Sequence, residues 1–291
     1  MCLVPGVTDA FYARLAERAG FAAVFVTGGG AANTLLGVPD LGLTTLAETV
    51  DLTERVAAAV NVPVIVDADT GYGNHLNVIR TVSELERAGV AALTLEDQVT
   101  PKRCGHFEGK RVVPTGEMIE KLVAATIARR DPNLAIIART DAIAVEGLAG
   151  ALRRARSYVA AGADAVFVEA PRSVEELAAI PAEIPAPCVV NVVEGGLTPL
   201  LSAHELEHMG YRVAIYANLA LRVAARSVER ALRVLREEGD SRRLLDRMLT
   251  WEERQEAAGL PEWQRLEETI VAAAREIEER AGDSGVGPKS A

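Results

Sequence analysis

The chain has 291 residues, 49% of them hydrophobic and 25% charged, and a formal net charge of −10. That balance suits a globular protein with a sizeable core, built as one large domain or two small ones. The acidity, with no basic tract beyond short Arg pairs, argues against a nucleic-acid partner, and no apolar run approaches the roughly 20 residues of a membrane helix.

The N-terminus lacks a basic stretch followed by an apolar run, so no secretory signal is expected. Cys2, Cys104 and Cys188 form neither a disulfide framework nor a paired metal-ligand spacing. A reducing, cytoplasmic setting is the expectation.

Along the chain, short apolar, β-branched runs predict strands at residues 3–6, 23–27, 63–69, 92–96, 135–140, 165–169, 188–193 and 213–216. Apolar residues at three- and four-residue spacing predict helices at 9–19, 46–59, 76–88, 115–130, 148–161, 173–180 and 203–209. Thr8 or Asp9, Thr115 and Ser202 mark helix starts, while Gly20, Gly89, Gly162 and Gly210 mark ends. Eight strands alternating with helices predict an α/β fold, a closed (β/α)8 barrel of the TIM type, with an open doubly wound sheet as the alternative. A helical tail follows at 219–238, 244–250 and 262–280, with Trp251 and Trp263 expected to cover the barrel or a neighbouring subunit. Residues 1–281 are expected to form a single domain with a helical extension, and 282–291, small and polar, a disordered tail.

In a barrel of this kind the strand C-termini meet at one mouth. The polar residues at those ends are Thr27, Asp67, Asp69, Glu96, Asp97, Arg139, Asp141, Glu169, Asn191 and Glu194. Caps on the following helices account for one or two of these carboxylates. A hard divalent cation, Mg²⁺ or Mn²⁺, accounts for the cluster, with Asp67, Asp69 and Glu96 as ligands and Asp40 joining from a loop. Asp67 and Asp69 are expected on one strand face because side chains alternate.

Gly28-Gly29-Gly30 follows the second strand and suits either an anion-binding backbone or a tight turn. Arg139 is either a two-pronged partner for a substrate carboxylate or an ion-pair partner of Glu169 or Asp141. His75, His204 and His208 have no metal-ligand spacing and read as surface residues. In the run Pro101-Lys102-Arg103-Cys104-Gly105-His106, the thiol has two cations and an imidazole beside it in sequence. Its pKa is therefore expected to lie below the free value of about 8.5, and the loop to be where a proton is given or taken.

The combination Gly37-Val38-Pro39-Asp40, Val66-Asp67-Ala68-Asp69-Thr70-Gly71-Tyr72-Gly73, Leu95-Glu96-Asp97-Gln98, Lys102-Arg103-Cys104-Gly105-His106 and Ala138-Arg139-Thr140-Asp141-Ala142 resembles the isocitrate lyase/phosphoenolpyruvate mutase superfamily. The loop around Cys104 points to its carbon–carbon lyases, the 2-methylisocitrate lyase and 2,3-dimethylmalate lyase branch. Similar enzymes leave a carboxyphosphonoenolpyruvate phosphonomutase, an oxaloacetate decarboxylase or a 2-oxo acid hydrolase as alternatives.

The resemblance implies cleavage of a 2-hydroxy di- or tricarboxylate to pyruvate or glyoxylate and a carboxylate. It implies a Mg²⁺ held mainly through Asp69, with Asp67, Asp40 and Glu96 acting partly through water. Thr27, Gly28, Gly29, Lys102, Arg103 and Gly105 would help bind the substrate, and Arg139, His106, Asn191 and Glu169 would surround its other half. Cys104 would protonate the carbanion. A homotetramer, a dimer of dimers with a helix swapped between neighbours, is also implied. Two departures stand out: Phe25 replaces a tyrosine of such lyases, and Tyr216-Ala217-Asn218-Leu219 replaces their Tyr-Pro-Leu-Ser.

Overall fold

Eight parallel strands close into a barrel in the computed structural model, which describes residues 1–283. They are β1 Cys2–Val7, β2 Val24–Val26, β3 Val64–Asp67, β4 Ala92–Glu96, β5 Ala135–Thr140, β6 Ala165–Val168, β7 Cys188–Asn191 and β8 Val213–Tyr216. Each pairs with the next, and β8 closes on β1 with Val4 opposite Ile215. The expected barrel is the observed one, and the open sheet is excluded.

The helices are α1 Ala10–Arg18, α2 Gly28–Ala31, α3 Leu46–Ala59, α4 His75–Arg87, α5 Thr115–Ala128 and α6 Ile143–Ala160. Then come α7 Val174–Glu183, α8 Ala203–Met209, α9 Leu219–Glu238, α10 Trp251–Ala257 and α11 Leu260–Asp283. Local chemistry sets most of their starts. Asp9 caps α1 by accepting from Tyr12 N–H, and Thr45/Glu48, Asn74/Asn77 and Ser202/Glu205 form reciprocal capping boxes. The four helix-ending glycines all take positive φ, which suits a residue without Cβ.

The strands read as unbroken apolar runs because both faces are buried. One face fills the barrel interior with Val4, Phe25, Ile65, Ala92, Ile137, Phe167, Val189 and Ile215. On the other, Val24, Val26, Val64, Val66, Leu93, Leu95, Ile136 and Ala138 pack under the helices.

Several boundaries differ from expectation for identifiable reasons. The glycine run is neither a free turn nor a loop but opens α2, with Thr27 Oγ1 accepting from Gly30 N–H at 3.3 Å. A π-helical turn, Ala32–Leu36, carries it on to Gly37. Strand β3 stops at Asp67, and Asp69 lies beyond it at φ +47°. Asp67 and Asp69 therefore come together through a turn and not through strand alternation. Helix α6 starts before Gly147, whose φ of 68° and ψ of 178° interrupt it. The helix expected at 244–250 is a 3₁₀ stretch, Arg242–Arg247, because the Thr250/Glu253 capping box begins a new helix at Trp251.

The chain divides into two compact units, Met1–Arg230 and a second beginning at Ala231, within α9. The first carries the whole barrel. The second holds the end of α9 with α10 and α11. Trp251 and Trp263 are each 67% exposed in the single chain. Helix α11 runs through Asp283, into the segment expected as a tail, and residues 284–291 of that segment lie outside the described residues. Among the described residues no helix is long and apolar enough to cross a membrane.

Candidate active site

Two residues beyond the apolar interior layer, toward each strand's C-terminus, stand the next inward-facing side chains: Thr27, Asp67, Arg139, Glu169, Asn191 and Ala217. On β4 the same alternation turns Thr94 and then Glu96 inward. They meet around a cavity of about 280 Å³. Thr27, Gly29, Asp40, Asp67, Cys104, Gly105, His106, Arg139, Glu169 and Asn191 all line it, over an apolar floor that includes Phe25 and Phe167. Phe25 thus puts a ring without a hydroxyl into the floor, at the position where the resemblance implied a tyrosine.

Three loops, after β2, β3 and β4, deliver charge to this mouth. Lys102 is buried, with its ammonium 2.5 Å from Asp40 Oδ1 and 2.8 Å from Asp69 Oδ1. Asp67 Oδ1 accepts from Thr94 Oγ1 at 3.1 Å and from Asp69 N–H at 3.2 Å. Burial, opposed by Lys102 and reinforced by Asp67, pushes the Asp69 carboxyl up to about 6. Glu96 is held well above the usual carboxylate range, first by desolvation.

Of the two readings of Arg139, the ion pair is present. Its Nε and Nη2 grip Asp141 at 2.9 and 3.2 Å, and Nη1 lies 3.2 Å from Glu96 Oε2. The guanidinium also sits 5.3 Å from the Phe167 ring centroid, a cation–π contact. Its two-pronged edge is thus engaged by Asp141, and a substrate meets only the part that lines the cavity.

The Cys104 loop corrects one expectation outright. The thiol lies above its ordinary 9.0, because burial outweighs the neighbouring N–H of His106, and Asp40 and Glu169 add to the upward shift. The two cations before it in sequence do not lower it. Lys102 turns to Asp40 and Asp69, and Arg103 is exposed, its Nη1 3.4 Å from the Glu108 carbonyl. Arg103 therefore lies outside the cavity wall, unlike the other loop residues Cys104, Gly105 and His106. His106 Nδ1 accepts from Leu197 N–H at 3.1 Å, which leaves the Nε2 proton toward Glu169 Oε1, 3.2 Å away. Gly105 packs so tightly that an added Cβ would stand 2.5 Å from Glu169 Cγ and 2.7 Å from Arg139 Nη2.

Other expected residues fall into place less simply. Thr27 N–H donates to the Val7 carbonyl at 3.4 Å, so the amide freed by helix geometry is that of Gly28, the first residue of α2. Asp97 faces away from the mouth and belongs to the packing behind β4. His204 and His208 are exposed, and His75 sits on the surface 3.2 Å from Glu120, as expected. The sequence did not point to Asn33, Phe107, Leu221 and Arg222, which line the cavity beside Asn218 of the departing segment, nor to Lys110, buried beneath the loop. Arg222 was findable, since it lies in the first turn after β8, on the side where every βα connection of a barrel opens.

Among the described residues no group of three or more His, Cys, Asp or Glu stands close enough to enclose a metal ion. Mg²⁺ asks for less, commonly one or two carboxylates with water and substrate oxygens completing the shell. Gly28 leaves such a cradle: a Cβ there would meet Asp67 Oδ2 at 2.9 Å and Asp69 Oδ1 at 3.2 Å. Both oxygens of buried Glu96 lack hydrogen-bond partners. This hard-oxygen donor set fits a divalent cation held by Asp67 and Asp69.

Known proteins resemble this chain in sequence and in fold. The family profile of phosphoenolpyruvate phosphomutase matches residues 1–236. The 2,3-dimethylmalate lyase of Eubacterium barkeri is 43% identical over 267 residues, 92% of each chain. A probable 2-methylisocitrate lyase of Corynebacterium glutamicum is 47% identical over 246 residues, 84% of this chain and 80% of its own. Among solved structures, oxaloacetate acetylhydrolase with 3,3-difluorooxalacetate superposes with a TM-score of 0.89 at 34% identity, covering 93% of this chain and 92% of that one. Phosphonopyruvate hydrolase with oxalate and Mg²⁺ does so with 0.83 at 29%, covering 92% and 93%. With the barrel, the strand-end carboxylates and the match over most of its length in agreement, this chain belongs to the phosphoenolpyruvate phosphomutase family, whose relatives here are named as lyases.

Proposed function

We propose that this protein is a divalent-metal-dependent lyase. It cleaves a carbon–carbon bond of a 2-hydroxy di- or tricarboxylate, of the 2,3-dimethylmalate or 2-methylisocitrate type, to a 2-oxo acid (pyruvate or glyoxylate) and a carboxylate. The observation that carries the reading is the Cys104 thiol. It is half-buried, held above its ordinary pKa, and shares a cavity with His106, Arg139 and Glu169. A thiol that stays protonated at neutral pH is a proton donor in waiting, which is what quenching a carbanion requires.

Asp67 and Asp69, supported by Glu96 and Asp40, would hold a Mg²⁺ or Mn²⁺ ion, which would supply Lewis acidity to the cleavage when bound. The rest falls to the chain itself. The Gly28 N–H and Gly29 meet the substrate carboxylate at the start of α2. Glu169, whose oxygens have no aligned hydrogen-bond donor, accepts the hydroxyl proton in place of the phenol that Phe25 lacks. Arg139, His106 and Asn191 stabilise charge on the departing carboxylate, and Cys104 delivers a proton to its α-carbon. Gly105, pressed against Glu169 and Arg139, keeps water from that carbon.

The exposed Val223, Val228, Leu232, Trp263, Leu266 and Ile270 on α9 and α11 support burial between subunits, and we read the assembly as a homotetramer in the cytoplasm. The test is to incubate the purified chain and Mg²⁺ with branched malates and citrates and to detect pyruvate or glyoxylate. A panel without product, alongside phosphonate chemistry seen by phosphorus NMR, would replace the lyase reading with a mutase.

A further inference from the structure

Lys110 lies at the base of the Cys104 loop and takes no part in the chemistry above. Its side chain is 1% exposed, and its ammonium donates to the Gly105 carbonyl and, at 2.9 Å, to Asp141 Oδ1. Burying an ammonium is costly, and a well-packed apolar side chain would serve stability as well or better. Asp141 already has a cation in Arg139, which grips both its oxygens and, ahead of Lys110, holds it below the usual carboxylate range despite burial. What Lys110 adds is a hold on the backbone of the glycine between Cys104 and His106. That glycine has no slack, because it abuts Glu169 and Arg139.

We propose that Lys110 is a positioning residue of the Cys104 loop: its ammonium ties the Gly105 carbonyl to the end of β5 through Asp141, and so fixes where Cys104 and His106 stand in the cavity. The other ties have different destinations. Cys104 N–H reaches the Asp40 carbonyl at 3.2 Å, and Phe107 N–H returns to the Cys104 carbonyl at 2.8 Å. His106 is held from the far side by Leu197 N–H. Lys110 thus joins the loop to the strand that carries Arg139. The activity arm of the test rests on the lyase reading, and the thiol arm does not.

Lys110→Met removes the charge and both hydrogen bonds but keeps the apolar stem. In the purified full chain, iodoacetamide should alkylate Cys104 about tenfold faster than in wild type, because a released loop exposes the thiol to solvent. Mass spectrometry of the Cys104 peptide separates it from Cys2 and Cys188. With a cleaved substrate in hand, kcat should fall ~10²-fold, the cost of a catalytic group displaced by about an ångström, while KM stays within about threefold. Lys110→Arg, which keeps charge and donors, should restore most of the thiol protection.

A folded Lys110→Met protein with wild-type alkylation of Cys104 overturns the proposal, even with a lowered Tm, since a merely structural cation would leave the thiol unchanged. If that variant does not fold, Lys110→Gln takes its place, with severalfold faster alkylation expected and the wild-type rate again overturning it. Should wild type cleave no 2-hydroxy acid, the lyase reading fails and the alkylation rates still judge Lys110.

Discussion

Glu96 and Asp97 are neighbours at the end of β4, both fully buried, and the chain treats them in opposite ways. Asp97 faces outward, where it accepts from Thr140 Oγ1 at 2.7 Å, Tyr158 OH at 2.8 Å and Asp141 N–H at 2.9 Å, with Arg154 Nη1 at 3.4 Å. Glu96 faces the mouth, and neither of its oxygens has a hydrogen-bond partner. A buried carboxylate with every lone pair occupied holds structure together. One that meets a cation, the Arg139 guanidinium 3.2 Å away, without an aligned hydrogen bond keeps its lone pairs for a ligand beside the cation cradle. Burial pushes both upward, so the distinction lies in their partners and not in their exposure.

The mouth side of that contrast breaks most completely with Asp69→Ala. Turnover should disappear while the far-UV circular dichroism is retained, and EDTA should do the same to wild type. Sustained activity in either case removes the metal from the mechanism. Next in size, Cys104→Ser should lower kcat by roughly 10²–10⁴-fold with little change in KM, the usual worth of a general acid. Steady-state kinetics with unchanged kcat would take the thiol out of the reaction.

Behind the sheet, Asp97→Asn should lower the unfolding free energy by about 3 kcal/mol, because it strips the anion from a buried cation and two hydroxyl donors. Urea titration measures this, and the folded fraction should keep its turnover within a few-fold. Glu96→Gln sharpens the contrast: it weakens the ion pair with Arg139, which Asp141 still grips, but breaks no aligned hydrogen bond, so the stability loss should stay below that of Asp97→Asn while turnover drops about 10–100-fold. Equal stability losses at the two positions would erase the distinction between them.

The smallest effect is one of pH. Because burial raises the Cys104 thiol, its alkylation rate should rise with pH and reach its midpoint above the ordinary 9.0. Activity that depends on the protonated thiol should persist through neutrality and decline only as pH climbs past that midpoint. An alkylation midpoint below 8 would reinstate a cation-activated thiolate.

By itself, the sequence determined the βα alternation and the set of polar residues at the strand ends, and favoured the closed barrel over the open sheet that the β8–β1 pairing excludes. These are local signals: apolar runs, helical spacing and helix-ending glycines act within a few residues, and the two-residue strand period sends Asp67, Glu96, Arg139, Glu169 and Asn191 to one place. It also located the Cys104 loop at the mouth. Only the tertiary structure decided what each charge does there. Lys102 precedes Cys104 by two residues yet turns to Asp40 and Asp69, Arg103 points outward, and the thiol is shifted up where its neighbours in sequence would have shifted it down. Lys110 was invisible because its meaning depends on Asp141, 31 residues away. Burial and electrostatic pairing depend on which elements face one another across the barrel, and adjacency along the chain does not encode that.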